Sequence, residues 1–169
     1  MHLQHEVYNE TITTEKLEAL VDTRRNKIFY HTAQHTIHAL LEARRLFEDV
    51  EKKVSGMTML SAKDGFQLYI NELYTIDQHY RHYFWEANLA ESNNLLPNIT
   101  AKVEQIYTNI FLSGLAKKWQ PCVDSMDIWH IDGIYSQRSF FNTHVKPFTS
   151  KGKRVFVIIS DALRYETMM

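Results

Sequence analysis

The residues best suited to chemistry lie near the carboxyl end. In "KRVFVIISDALRYETMM" five apolar, strand-favouring residues, Val155 to Ile159, run straight into Ser160 and Asp161. A carboxylate just past a parallel strand stands where open α/β sheets gather ligands, and divalent ions favour such oxygen donors where several converge. Asp161 is therefore one candidate metal ligand. The simpler reading has Asp161 or Ser160 capping a helix that starts at Ala162, and the two roles are compatible. One carboxylate does not by itself hold a catalytic divalent ion.

Histidines form two further groups. "HTAQHTIH" places His31, His35 and His38 on one helical face. Two imidazoles one turn apart can share zinc, but structural zinc wants four ligands and nothing local completes the set. A polar, solvated face is the default. In "DQHYRHYFW", His79 and His82 lie three residues apart with Asp77 close by. Their aromatic neighbours point to partly buried, hydrogen-bonded imidazoles rather than ligands. No nucleophile elbow, phosphate-cradling glycine loop, CxxC pair or HExxH helix is present in the sequence.

Arg24–Arg25 and Arg44–Arg45 could meet nucleic acid or an acidic partner, yet Glu42, Glu48, Asp49 and Glu51 intersperse acids, which favours ordinary surface ion pairs. Net charge is −1, so no global field draws the chain to phosphate backbones. The single cysteine, Cys122, excludes an internal disulfide and suits a reducing compartment. No stretch approaches the ~20 apolar residues needed to span a bilayer. These features predict a soluble, cytoplasmic protein without a membrane partner.

The elements that must position these residues are mainly helical. Apolar spacing predicts one helix from about Thr14 to Val54, with a break at Asn26 to Tyr30. Ser61, with Asp64 three residues on, opens a second. Pro97 can start a third, which Pro121 ends. Cys122 to Tyr135 reads as loop, and Ser136 caps a short helix stopping before Pro147. Short connections make the long helices antiparallel neighbours. The fold expected is thus mainly α: an antiparallel helical bundle followed by one orphan β-strand that opens an incomplete α/β domain. A continuous apolar strand belongs to a sheet covered on both faces, and no companion strand is evident in the sequence.

The final stretch, "GKRVFVIISDALRYE", resembles the opening of the PglZ domain, a branch of the alkaline phosphatase superfamily that belongs to BREX, a bacterial defence system against phage. "LVDTRRNKIFYHTAQHTIHALLEARRLF", "LYTIDQHYRHYFW", "VEQIYTNIFLSGLAKKW" and "GIYSQRSFFNTHVKPF" are similar to the helical region before the phosphatase domain in type A members. The resemblance implies a helical domain over 1–150 and, over 151–169, the first strand and first helix start of a phosphatase domain cut short. It implies a divalent metal, zinc in most of the superfamily, with Asp161 as one ligand. The nucleophile and the remaining ligands lie on later elements of that fold. The chain alone is then expected to be an inactive fragment of a metal-dependent phosphatase, binding no ion stably. Other BREX components, a methyltransferase and an ATPase, are the partners implied. The alternative is a free-standing helical adaptor that binds defence-system proteins or nucleic acid. An adaptor has little use for a bare apolar strand, which is an aggregation hazard.

Overall fold

The computed structural model describes residues 2–28, 30–90, 96–159 and 164–169. Helix α1 spans His2–Tyr8, α2 Thr14–Arg24 and α3 Tyr30–Val54. Helix α4 (Ala62–Leu68) passes through a π-helical turn, Tyr69–Leu73, into α5 (Tyr74–Leu89). Likewise α6 (Pro97–Gln105) passes through a second π turn, Ile106–Leu112, into α7 (Ser113–Asp124). A 3-10 turn (Gln137–Ser139), a π turn (Phe141–Val145) and the short α8 (Lys146–Thr149) follow, and a last 3-10 turn covers Tyr165–Thr167.

Local chemistry sets several boundaries. Thr13 caps α2 through its side-chain oxygen, which accepts from the Lys16 amide, and Ser61 caps α4 by accepting from the Asp64 amide. Pro97 sits in the first turn of α6, where no amide hydrogen is required. The long first helix breaks after Arg24 and resumes at Tyr30, at the break its sequence predicts. Helix α1, too polar to show an apolar stripe, buries Val7 and is followed by a turn through Glu10, whose φ of 57° lies in the left-handed region. That turn lets the Thr11 amide reach back to the Glu6 carbonyl at 2.9 Å.

Helices α3 and α5 pack antiparallel, because cross-contacts rise in number along one as they fall along the other. His35 meets Glu86, Glu42 meets His79, and Asp49 meets Thr75. Around this pair Leu17, Leu46, Ile76, Tyr83, Ile99 and Phe111 form a fully buried core. Burying each such side chain stabilises by about 1.5–3 kcal/mol. Gly65 permits the tightest approach, since a Cβ there would lie 2.8 Å from the Trp119 ring.

Three expectations need correction. Pro121 lies inside α7, which continues to Asp124. The proline forgoes only one amide bond one turn from the end, and the Ser125 amide still reaches the Pro121 carbonyl at 3.2 Å. Pro147 does not stop the short helix either; it occupies the first turn of α8. Residues 153–159 form no strand. A strand is made by its partner, and the described residues supply none. Phe156 is 90% and Ile158 94% exposed.

Candidate functional site

Asp161 and Ser160, the residues the sequence singles out, lie outside the described residues. What the structure places is the chain on either side of them. Downstream, the end of the chain folds back onto the helical body. Glu166 is only 2% exposed. Its carboxylate accepts from the Arg81 guanidinium and stands 3.3 Å from the Tyr69 hydroxyl, while the Gln78 side-chain amide donates to its backbone carbonyl at 3.3 Å. The Tyr165 hydroxyl donates to the Ile70 carbonyl at 3.1 Å, and its ring meets Tyr74 edge-on, centroids 5.6 Å apart. A buried carboxylate is costly unless paired, so this clasp is held by the Arg81 charge.

Beneath the clasp Asp77 accepts two phenolic hydrogen bonds, from Tyr69 at 2.6 Å and Tyr107 at 2.7 Å. Burial, then the hydrogen bond to Asp77 and its negative charge, push both phenols well above their ordinary value of 10.0. Tyr107 also stacks on Tyr80, with ring centroids 3.7 Å apart.

Along the α3–α5 seam the histidines bracket carboxylates. Glu42 lies 2.7 Å from His79 Nδ1, 3.9 Å from His82 Nδ1 and 2.7 Å from Arg45. Burial raises its pKa, but the His79 hydrogen bond and the charges of His79, Arg45 and His82 outweigh that, leaving it below the ordinary 4.5. Glu86 lies 2.7 Å from His35 Nδ1 and 3.6 Å from His38 Nδ1, and His38 Nε2 meets the Tyr30 hydroxyl at 2.7 Å. His31 is exposed, its ring edge-on to that of Tyr30. The histidine face that spacing marks as solvated is thus half-buried at His35 and His38. Among the described residues, no group of three or more His, Cys, Asp or Glu is arranged to hold a metal ion. The seam's imidazoles are spent on carboxylates that join two helices.

The arginines divide differently from the surface ion pairs expected. Arg44 is 6% exposed. Its Nε donates to the Ile12 carbonyl at 2.7 Å, and its terminal nitrogens lie 3.3 Å from Glu10 and 3.1 Å from Glu48. It ties the α1–α2 connection to α3. Arg45, half-buried, pairs with Glu18 at 2.5 Å and with Glu42. Cys122 is buried, its thiol facing the Met59 and Lys118 carbonyls. Sequence reasoning missed Glu86 and Glu166 and set Arg44 among surface ion pairs, though it is buried. Among the described residues, no helix is long and apolar enough to cross a membrane.

Comparison with known proteins finds a match at the same end of the chain. Residues 140–169 match the BREX system PglZ alkaline phosphatase-like domain. The chain is 34% identical over 149 residues to the alkaline phosphatase-like protein PglZ of Bacillus cereus (strain H3081.97), covering 87% of this chain and 17% of that protein. It is 33% identical over 166 residues to the alkaline phosphatase-like protein BrxZ of Escherichia coli O9:H4 (strain HS), covering 92% of this chain and 19% of that protein. The chain therefore spans less than a fifth of the length of these curated relatives. No solved structure matches it.

Proposed function

Since this chain is related to PglZ-type alkaline phosphatase-like proteins through most of its length, we propose that it is a helical module that seats the opening segment of a phosphatase-like domain. Residues 1–150 form the module and 151–169 the opening segment. The observation that carries this reading is the burial of Glu166 against Arg81, Tyr69 and Gln78. Glu166 lies within the family match and five residues beyond Asp161, so the clasp fixes the chain just past the metal-ligand position to α5.

In this reading Val155 to Ile159 become the first core strand once companion strands pair with them, which accounts for the exposure of Phe156 to Ile159 here. Asp161 supplies one oxygen ligand to a divalent ion, zinc by the family resemblance, and that ion would polarise a phosphoryl oxygen. The residues of this chain perform the positioning. By themselves the 169 residues hydrolyse no phosphate ester, because such chemistry needs an activated nucleophile and several fixed ligands. The module works in contact with other BREX components, a methyltransferase and an ATPase among them, in the cytoplasm.

The test is hydrogen exchange on the intact chain beside a phosphatase assay with zinc. Residues 165–169 should be protected in the wild type and lose that protection in Glu166→Ala, with α3 and α5 unchanged. Zinc-dependent turnover of p-nitrophenyl phosphate that vanishes in Asp161→Ala would overturn the inactive-module reading. Unprotected wild-type residues 165–169 would overturn the clasp.

A further inference from the structure

The charge of the chain is unevenly spread. From Gly133 to Ile159 there are five cations (Arg138, Lys146, Lys151, Lys153 and Arg154) and no acid. With a total of −1, setting these five aside leaves −6 on the rest. All five are exposed, and none forms an ion pair among the described residues. This contrasts with Arg44 and Arg45, whose charges are consumed in ion pairs within the helical body.

Aromatic rings lie among these cations with their faces open. Tyr135 is 74% and Trp129 68% exposed, and Phe140, Phe141 and Phe148 are exposed as well. A groove of about 450 Å³ runs between Trp119, Trp129, Tyr135 and Arg138. Trp119 forms its wall, with the Trp129 ring standing at 82° to it and centroids 6.4 Å apart. Lys63 Nζ stands 3.9 Å from the position a Cβ on Gly133 would take, so a sixth cation flanks the loop that carries Tyr135. Further along the chain, the amides of Lys151 and Lys153 both donate to the Phe148 carbonyl, so one turn carries two exposed cations and an exposed ring. The nearby acids are Asp127 and Asp132, and the latter is paired with His130 at 3.3 Å.

Cations that track a phosphate backbone, interleaved with rings on which bases stack, are the chemistry that holds single-stranded nucleic acid. We propose that the groove between Trp129 and Tyr135, continued by Arg138, Lys146, Lys151 and Lys153, binds single-stranded nucleic acid without sequence preference. The inference does not rest on the phosphatase reading, since it uses neither Asp161 nor the Glu166 clasp, although Lys151 and Lys153 lie in the opening segment. Duplex is a poorer fit, because its bases are stacked on one another and cannot reach Trp129 or Tyr135.

The experiment is fluorescence anisotropy of the full chain with labelled dT20 and U20, read as a function of salt. With about four phosphates neutralised, the slope for a single strand is about −3, which is roughly a fiftyfold loss of affinity between about 50 and 200 mM salt. Trp129→Ala and Tyr135→Ala should each weaken binding roughly tenfold, in line with the stacking contribution per base. Lys151→Glu with Lys153→Glu should weaken it further and flatten the salt slope. Arg24→Ala with Arg25→Ala, on α2, should leave it unchanged. Both aromatic residues are exposed, so folding should survive, and far-ultraviolet circular dichroism checks that. Quenching of wild-type tryptophan fluorescence by dT20 gives a readout that needs no variant. Absence of binding at low salt, equal binding by the aromatic variants, a stronger effect of the α2 variant, or preference for phosphatidylserine vesicles over oligonucleotide would each overturn the proposal.

Discussion

Glu42 of α3 and His79 of α5 face each other at 2.7 Å across the antiparallel seam, on a carboxylate that is 8% exposed. Removing the imidazole leaves that carboxylate to Arg45 and the more distant His82. His79→Ala should therefore cost about 1–3 kcal/mol, the penalty for stranding a buried acceptor, read by urea unfolding. Glu42→Gln should cost less, because an amide can still accept from the ring.

The same pair sets an acid limit. The Glu42 pKa is lowered in the fold, so its contribution is fully present above the ordinary 4.5 and is lost as pH falls through the lowered value. Unfolding free energy should decline below about pH 4.5, and the decline should be shallower in Glu42→Gln.

At the alkaline end Tyr69 and Tyr107 act with the opposite sign. Their phenols are raised above 10.0, so the unfolded chain releases protons first and stability falls as pH rises beyond 10. Burial raises Tyr80 and Tyr83 as well, so titration at 295 nm should show four of the nine tyrosines ionising late, Tyr69 and Tyr107 only together with unfolding. Tyr69→Phe with Tyr107→Phe should remove one source of that coupling, at the cost of leaving Asp77 without both donors.

Arg44 offers a test of the link between α1, α2 and α3. Arg44→Ala strands the Ile12 carbonyl and takes one partner from Glu48, which keeps the Thr14 amide and Lys52, and should destabilise by about 1–3 kcal/mol. Arg44→Lys should recover only part of this, because an ammonium cannot serve all three directions at once.

Gly65→Ala tests the approach of α4 to α7. The added methyl would lie 2.8 Å from two ring carbons of Trp119, so the indole must move. An overpacking cost of about 1–3 kcal/mol exceeds the ~1 kcal/mol gained from alanine's helix propensity. Thermal denaturation should show a net loss, accompanied by a changed tryptophan emission maximum.

The helical frame was legible because its signals are local. The break before Tyr30, the Ser61 cap and the Pro97 start each depend on residues within one turn, and each appears where the sequence puts it. Pro121 misled because a proline near a helix end forgoes one hydrogen bond, a loss tertiary packing overrides. The pairing of His35 with Glu86 and of Arg81 with Glu166 spans 51 and 85 residues, and no periodicity reports such partners. Val155 to Ile159 carried a true β preference, but preference without a neighbour produces no ladder. Most of what the seam and the clasp do was hidden for that reason, while the family match at 140–169 agreed with the resemblance seen in the closing motif.

The two π-helical turns that join α4 to α5 and α6 to α7 have one more effect. Each inserts an extra residue into a helical circuit, so the stripe that faces inward before the turn is rotated relative to the stripe after it. Tyr69 opens the first of these turns and Tyr107 lies in the second, and the widened circuits let both hydroxyls converge on Asp77. A one-residue deletion within Tyr69–Leu73 would restore a regular winding and carry every later side chain of α5 about 100° around its axis. His79 would then turn from Glu42, and Arg81 from Glu166. The geometry of this protein depends on two irregular windings as much as on any single side chain.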